Sequence, residues 1–297
     1  MAGPPDRAPH RPPHRPPHRP LVEIRDLRVD FPHPSGFTRA VRGISLSLGR
    51  EKLGIVGESG SGKSVTGRAL MRLLPGSARV TAEALRFDGI DVLAASERQM
   101  RSLRGGRIGL ILQDPKYSLN PVMTVGRQIA EAWLAHRKGS RREARDVALS
   151  LLEQVRIREP GRVLDAYPHE ISGGMGQRVM IAMMLAPEPD MLIADEPTSA
   201  LDASVQAEIL RLIEDLVSAR GMGLMLISHD LPLVARFCDR VAVMYAGQVM
   251  EELPARDLHR AEHPYTRGLL DCMPSLDHPR ARLPTLDRDP AWLEPRA

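Results

Sequence analysis

The chain has 297 residues, of which 42% are apolar, enough to bury the core of one large domain or two modest ones. Its isoelectric point is near 9.4, but residues 1–20 hold four arginines and one aspartate and so carry +3 of the net charge of +4. The rest of the chain is nearly neutral. This argues against nucleic acid as a partner, because phosphate binders concentrate basic charge on the folded part.

The sequence also argues against a membrane-spanning or secreted chain. No apolar run approaches the roughly 18 residues of a transmembrane helix, so a membrane role has to come through partners. The N-terminus lacks the apolar segment of a signal peptide, and Cys238 and Cys272 form neither a disulfide framework nor a metal-binding pattern. We therefore expect a cytosolic chain.

The first 20 residues differ in composition from the rest. They repeat His-Arg-Pro-Pro and contain eight of the 26 prolines. Because proline fixes φ and removes a backbone donor, the tail is predicted to be extended and disordered. His10, His14 and His18 have a spacing that could bind a metal ion, but a solvated low-complexity arm is the preferred interpretation.

Ordered structure is predicted to begin at Leu21. Apolar runs over residues 21–29 and 44–48 flank a turn-rich segment at residues 32–36. Residues 53–56 (Leu-Gly-Ile-Val) then form a short apolar run that ends at a glycine. This pattern is typical of a buried parallel strand that leads into a loop.

The remaining elements complete an alternating pattern. Helix-forming residues occupy 65–74, and the strand pattern returns at 191–194 and 224–227, each time followed by acidic, hydroxyl or imidazole side chains. Functional groups at the carboxyl ends of such strands indicate an α/β nucleotide-binding fold. Apolar residues at helical spacing over 125–155 indicate an inserted helical region, and residues 241–250 resemble a hairpin.

A phosphate-binding loop follows the first of these strands. Residues 57–64 match G-x-x-x-x-G-K-[ST] between a strand and a helix, the context that the P-loop motif requires. Glycines let backbone N–H groups surround the β-phosphate, the lysine supplies a charge to the β- and γ-phosphates, and the last hydroxyl ligates Mg²⁺. The motif therefore predicts ATP contacts at Gly57, Ser59, Gly60, Ser61, Gly62, Lys63 and Ser64.

Two carboxylates end the strand at residues 191–194. Asp195 is placed to hold Mg²⁺, and Glu196, one residue later, is placed to polarise the attacking water. An Asp-Glu pair that merely caps the next helix would be the preferred interpretation without the P-loop.

Residues 171–178 (Ile-Ser-Gly-Gly-Met-Gly-Gln-Arg) resemble the signature of ATP-binding-cassette (ABC) ATPases. In the same order as in that family, Gln113 resembles the Q-loop glutamine, residues 199–202 the D-loop and His229 the switch histidine. The resemblance covers residues 21–252. Ile171 and Gly176 depart from the usual signature residues, but neither is a phosphate contact.

The resemblance implies a RecA-like P-loop NTPase core with a parallel sheet, an antiparallel β subdomain and a helical signature subdomain. It also implies that two cassettes pair head to tail. Each cassette then closes its signature over the γ-phosphate bound by the other. The residues that it implicates, besides the P-loop, are Ser172, Gly174 and Asp202 at the nucleotide, Glu196, His229 and Gln113 in catalysis, and Ser64, Gln113 and Asp195 around Mg²⁺. Phe31 and Phe37 are alternative candidates for stacking on adenine.

Further segments resemble the dipeptide, oligopeptide and nickel importers of that family: residues 113–115, 118–121, 167–170 and 263–270. This implies an ATPase on the cytoplasmic face of the membrane with two permease subunits, a second ATPase and an extracytoplasmic solute-binding protein. Partner binding would involve the region from Gln113 to Trp133. The cargo, peptides or nickel and metal chelates, stays open, as does pairing with an identical or a related ATPase.

We expect the ATPase domain to span residues 21–253, with a helical subdomain at about 115–185. Residues 254–297 form an extension whose secondary structure the sequence does not indicate. Because only Cys272 lies in that extension, no iron–sulfur cluster is predicted. A soluble ABC ATPase of translation or repair would carry a second cassette, coiled coils or zinc sites. A P-loop kinase would need an acceptor site and has no use for the signature.

Overall fold

The computed structural model describes residues 20–113, 118–199, 201–272, 286 and 288–293. The predicted disordered tail lies outside these ranges apart from Pro20, and so do Asp114, Pro115 and Ala200 of the motifs above. Within these ranges, none of the helices combines the length and the apolar character that a bilayer crossing requires.

Groups of strands and groups of helices follow one another along the chain. The strands are β1 (Val22–His33), β2 (Gly36–Leu48), β3 (Lys52–Val56), β4 (Arg79–Thr81), β5 (Ala84–Phe87), β6 (Ile90–Asp91), β7 (Ile108–Ile111), β8 (Met191–Asp195), β9 (Gly223–Ser228), β10 (Arg240–Tyr245) and β11 (Gln248–Pro254). The helices are α1 (Lys63–Leu70), α2 (Glu97–Leu103), α3 (Val125–Leu134), α4 (Arg141–Gln154), α5 (Pro160–Asp165), α6 (Gly173–Leu185), α7 (Ala203–Arg220), α8 (Leu231–Phe237) and α9 (Pro264–Asp271).

The larger sheet has the order β11-β10-β3-β9-β8-β7, and all its pairs are parallel except β10 with β11. Every residue of β8 and β9 is buried, as the uninterrupted apolar runs predict for strands covered on both faces. Each buried Leu, Ile or Val side chain contributes roughly 1.5–3 kcal/mol to folding. The strands predicted at residues 53–56, 191–194 and 224–227 are confirmed, as is the hairpin near residues 241–250.

A second, antiparallel sheet has the order β2-β1-β5-β6, with β4 also paired to β1. The turn-rich segment predicted at residues 32–36 is shorter than expected, because β1 continues to His33 and β2 begins at Gly36. Irregular pairing along β1 and β2 twists this long hairpin. With the parallel sheet, it confirms the predicted fold class of a P-loop α/β core accompanied by an antiparallel part.

Helices α3 and α4 lie in the region predicted to be helical over residues 125–155, and α5 and α6 follow it. Ser140 begins α4 with a capping box, in which its hydroxyl accepts from the Glu143 N–H and the Glu143 carboxylate accepts from the Ser140 N–H. The apolar positions that predicted these helices are buried in a common cluster: Ile129, Ala148, Leu151, Leu152 and Val155. This confirms the helical interpretation of their spacing.

Helix α1 is shorter than the sequence predicts. Composition favours helix over residues 65–74, but α1 runs from Lys63 to Leu70 and Arg72 has a left-handed backbone with φ of 49°. The Arg104 guanidinium donates to the carbonyl oxygens of Met71 and Arg72 at 2.8 and 3.2 Å. Arg104, at the C-terminal end of α2, thus provides hydrogen-bond donors for the carbonyl groups just after α1. The helix therefore ends at a tertiary contact, although local composition favours its continuation.

Secondary structure also continues past the predicted start of the extension. Pro254 is the last residue of β11, and 3₁₀ helices at Ala255–Arg260 and Pro290–Leu293 flank α9. We call the described residues 255–272, 286 and 288–293 the C-terminal segment.

Candidate functional site

The loop after β3 turns directly into α1. Gly57 has φ of 148°, and a Cβ built there would lie 2.0 Å from the Met244 carbonyl oxygen, so only glycine fits. Gly62 is the N-cap of α1 with φ of 97°, and its carbonyl accepts from the Thr66 N–H at 3.0 Å. Ser59 and Gly60 are exposed at the tip of the loop. The helix thus begins at the predicted phosphate-binding position with its free N–H groups at the loop.

Lys63 lies beneath this loop and is only 5% exposed. Its ammonium group donates to the carbonyl oxygens of Gly57 and Glu58, both at 2.8 Å, and approaches the Ser61 hydroxyl at 3.4 Å. Burial lowers the pKa of Lys63, while the nearby charges of Glu196, Asp195 and Glu58 oppose that shift. The loop therefore holds a lysine charge in place at the predicted phosphate site.

Ser64, in the first turn of α1, meets the carboxyl end of β8. Its hydroxyl donates to Asp195 Oδ1 at 2.5 Å, and the Arg68 guanidinium lies 3.4 Å from Asp195 Oδ2. The Asp195 side chain is 7% exposed, whereas that of Arg68 is 47% exposed. A buried carboxylate beside a hydroxyl is a set of oxygen donors that suits Mg²⁺, so these two residues fit the predicted metal role.

Glu196 and His229 meet at the ends of the neighbouring strands β8 and β9. Glu196 has a left-handed φ of 48°, and its N–H donates to the Ile227 carbonyl at 2.9 Å, so it leaves the strand direction directly after Asp195. His229 Nδ1 lies 3.5 Å from Glu196 Oε1. Both side chains line a small cleft of about 50 Å³ that also contains Ser199 and Asp230. The structure therefore brings together the predicted base and the predicted switch histidine.

Gln113 follows β7, the strand next to β8, but makes no hydrogen bond to Ser64 or Asp195 among the described residues. Its side chain is exposed. The structure places it on the same sheet edge as Asp195 without joining the two, and its predicted roles stay predictions.

The two aromatic candidates for adenine lie on the β1–β2 hairpin. Phe31 is partly buried against the smaller core cluster, whereas Phe37 is 47% exposed beneath the guanidinium of Arg79, which lies 3.9 Å from the ring centroid. Neither arrangement selects one ring over the other for stacking on a base.

The predicted signature residues lie at the start of α6. Ser172 is exposed and is the N-cap, where its hydroxyl accepts from the Met175 N–H at 3.3 Å. Among the residues that the structure describes, a Cβ at Gly174 would approach only Val205 of α7, at 3.3 Å. The exposed helix start is accessible to a ligand or to another protein.

Asp202 is the N-cap of α7 and is also exposed. Its carboxylate accepts from the Ser204 hydroxyl at 2.6 Å and from the Val205 N–H at 3.0 Å. Those two hydrogen bonds lower the pKa of Asp202, so it stays ionised at the start of the helix.

Several residues that support these groups were not predicted from the sequence. Arg68 is one, and Gln177 is another, since its buried amide donates to the Pro197 carbonyl and joins α6 to the segment after β8. Tyr265 and Arg288 are two more, because both contact Glu58 of the P-loop. Only Gln177 and Tyr265 lie in segments that carry the family resemblance, and nothing local indicates their contacts.

A parallel sheet that carries a glycine loop, a buried lysine and two carboxylates at adjacent strand ends defines a P-loop nucleotide-binding protein. Comparison with known proteins narrows this class. Residues 41–199 match the family profile described as ABC transporter, which is more than half of the chain. The chain therefore belongs to the ABC transporter family and is an ATPase of that family.

Two curated relatives illustrate the similarity. A probable peptide ABC transporter ATP-binding protein, y4tR, from Sinorhizobium fredii is 52% identical over 270 residues, covering 90% of this chain and 81% of the relative. The dipeptide transport ATP-binding protein DppD from Bacillus subtilis is 47% identical over 273 residues, covering 91% of this chain and 82% of the relative.

Solved structures agree with the fold. The dimeric ABC transporter cassette MJ0796 superposes with a TM-score of 0.71 at 27% identity, covering 80% of this chain and 99% of that one. A post-hydrolysis dimer of the same cassette, bound to ADP and phosphate, superposes with a TM-score of 0.71 at 28% identity. It also covers 80% of this chain and 99% of that one.

Proposed function

We propose that this chain is the ATP-hydrolysing subunit of an importer that carries peptides across the cytoplasmic membrane. Support comes from the two relatives above, which are named for peptide and dipeptide transport. Neither is named for nickel, so peptides are preferred to nickel and metal chelates as the cargo. The observation that carries the mechanism is the pairing of Glu196 with His229 beside the Ser64–Asp195 pair.

The partners in this proposal are two permease subunits, a second ABC ATPase and an extracytoplasmic peptide-binding protein. The chain would lie at the cytoplasmic face of the membrane and reach the membrane only through the permeases. Its second ATPase is an identical copy or a related chain. Val122, which is 78% exposed, lies in the region proposed for permease contact, whereas Trp133 packs against the helical core.

In the proposed site, the N–H groups at the start of α1 bind the phosphates and the Lys63 ammonium contacts the β- and γ-phosphates. Lys63 already lies beneath the loop, where the carbonyl oxygens of Gly57 and Glu58 orient it. The Lys63 ammonium therefore needs little rearrangement when ATP binds, which lowers the free-energy cost of binding.

Ser64 and Asp195 would hold Mg²⁺, with Gln113 as a further predicted ligand. When bound, Mg²⁺ would neutralise charge on the β- and γ-phosphates. The Arg68 guanidinium beside Asp195 keeps that carboxylate oriented towards Ser64.

Glu196 is proposed to accept the proton of the attacking water, and His229 to orient Glu196 and the γ-phosphate. Positioned general bases of this kind contribute about 10²–10⁴-fold to a rate. The proposed site is completed by a second cassette, whose Ser172 and Gly174 would approach the γ-phosphate from α6 and whose Asp202 would lie at the subunit boundary. Binding ATP would close the pair, and hydrolysis would release it.

The test is ATP hydrolysis by the assembled transporter in membranes, measured with the binding protein loaded with a peptide mixture, loaded with Ni²⁺ chelates, or empty. Peptide-loaded binding protein is expected to stimulate turnover at least several-fold above the other two. Stimulation of ATP hydrolysis by Ni²⁺ chelates alone would contradict the proposal that peptides are the cargo. Transfer of phosphate to an added acceptor, with no effect of the permeases, would contradict the transporter and favour a kinase.

A further inference from the structure

The C-terminal segment packs its aromatic side chains next to the P-loop. Tyr265, at the start of α9, is fully buried, and its ring lies 4.6 Å from that of Tyr245 on β10 and 5.8 Å from that of Trp292, measured between centroids. Tyr245 and Trp292 also meet edge to face at 6.0 Å. We call these three rings the aromatic cluster. Contacts of this kind fix ring positions and contribute beyond the area they bury.

Glu58, the second residue of the P-loop, joins this cluster to the catalytic lysine. Its N–H donates to the Tyr265 hydroxyl at 3.4 Å, and its carboxylate accepts from the Arg288 guanidinium at 2.8 Å. Its carbonyl oxygen accepts from the Lys63 ammonium at 2.8 Å. Each of the three polar groups of Glu58 is thus engaged: the N–H and the carboxylate by the C-terminal segment, and the carbonyl by Lys63 and the Ser61 N–H.

Within the loop, the Ser61 N–H also donates to the Glu58 carbonyl oxygen, at the longer distance of 3.2 Å. The neighbours of Glu58 in sequence add little to this. Gly57, just before it, packs against the backbone of Met244 without a side chain. Ser59 and Gly60, just after it, are exposed. A shift of Glu58 would move one of the two carbonyl oxygens that hold Lys63 most closely, so contacts to Glu58 control where the ammonium lies.

We propose that Tyr265, assisted by Arg288, is a positioning residue for ATP binding: its hydroxyl fixes Glu58 and thereby the Lys63 ammonium. This inference rests on the role proposed for Lys63 above. It gives the C-terminal segment a part in the nucleotide site, 207 and 230 residues away from Glu58 in sequence. Neither residue touches nucleotide in this account.

The test compares Tyr265→Phe with Tyr245→Phe in steady-state ATP hydrolysis. Tyr265→Phe keeps the buried ring and removes only the hydroxyl, so the fold is retained. Tyr245→Phe removes a hydroxyl from the same aromatic cluster, one that makes no hydrogen bond among the described residues. We expect Tyr265→Phe to raise KM for ATP about fivefold, the factor for one net hydrogen bond, with kcat within about twofold. Tyr245→Phe should leave both unchanged.

A purely structural role would give a different result. Loss of folded protein lowers the apparent kcat at an unchanged KM, because fewer molecules are active and each binds ATP normally. An unchanged KM in Tyr265→Phe, or an equal rise in Tyr245→Phe, would overturn the proposal. If instead the unaltered chain hydrolysed no ATP, the proposed function itself would have failed.

Arg288 provides an independent check through a double-mutant cycle. Arg288→Ala is expected to raise KM about twofold, since the pair is partly exposed, and Arg288→Lys should restore most of the loss. In a Glu58→Gln background, Arg288→Ala should have no further effect. Equal effects of Arg288→Ala with and without the Glu58 carboxylate would contradict action through Glu58.

Discussion

The Ser64 hydroxyl donates a 2.5 Å hydrogen bond to Asp195 across 131 residues of sequence. It joins the P-loop helix to the carboxyl end of the buried strand β8, and the two oxygen donors define the position proposed for Mg²⁺. The next residue, Glu196, turns away from the strand towards His229. Asp195, proposed to hold Mg²⁺, and Glu196, proposed as the general base, are thus fixed by adjacent residues at the carboxyl end of one buried strand.

Replacing Asp195 tests its proposed metal role. Asp195→Asn keeps the shape but removes the charge, so ATP hydrolysis is expected to fall at least about 100-fold and to need more Mg²⁺. Asp190→Asn is the matched control at the opposite end of β8, where Asp190 pairs with Arg107 and Arg50. The control should lower stability without changing the Mg²⁺ requirement. An unchanged Mg²⁺ titration in Asp195→Asn would rule out its metal role.

The proposed contact of Ser172 with the γ-phosphate can be distinguished experimentally from its role as a helix N-cap. Ser172→Ala and Ser140→Ala each remove an N-cap hydroxyl, at a cost of about 1 kcal/mol in the free energy of unfolding. Only Ser172→Ala should also lower ATP turnover by the assembled transporter, by about tenfold or more, because its hydroxyl is proposed to reach the partner's γ-phosphate. Equal turnover in the two variants would contradict this role.

The lowered pKa of Lys63 predicts proton uptake on ATP binding. Burial lowers the pKa of the Lys63 ammonium below the ordinary lysine value of 10.5, whereas the ATP phosphates favour its charged form. Binding at about pH 10 should therefore take up protons, which calorimetry in two buffers of different ionisation heat detects. Lys63→Arg should bind without uptake because guanidinium stays charged. Equal heats in both buffers for the unaltered chain would contradict the prediction.

Gly57 is predicted to tolerate no side chain. Its φ is positive, and a Cβ added there would lie only 2.0 Å from the Met244 carbonyl oxygen, so Gly57→Ala must displace the loop. We expect a loss of at least about 2 kcal/mol in the free energy of unfolding, together with weaker ATP binding. Gly161→Ala, in the open first turn of α5, should instead be neutral or stabilise by up to about 1 kcal/mol. Urea unfolding of both variants checks the difference.

Local pattern predicted the parts of the site that are local in sequence. The P-loop could be located because its glycines, Lys63 and Ser64 are consecutive and follow an apolar strand. Asp195 and Glu196 could be located because four apolar residues precede them. Burial of β8 on both faces then fixes where those carboxylates emerge.

Contacts between distant segments could not be predicted from local sequence pattern. Tyr265 and Arg288 act on Glu58 only after the C-terminal segment packs against β10, and Arg68 meets Asp195 only after α1 packs on the sheet. Helix α1 ends early for the same reason, since Arg104 reaches it from another helix. In each case the energy comes from tertiary contacts that neither propensity nor periodicity encodes.

The most direct test of the account is ATP-dependent pairing of cassettes that cannot hydrolyse. Sedimentation of Glu196→Gln, alone and mixed with the transporter's second ATPase, is measured with and without Mg-ATP. We predict a species of two cassettes only with Mg-ATP, and its loss when Ser172→Glu places a carboxylate at the proposed γ-phosphate contact. The same masses with and without nucleotide, in both samples, would contradict it.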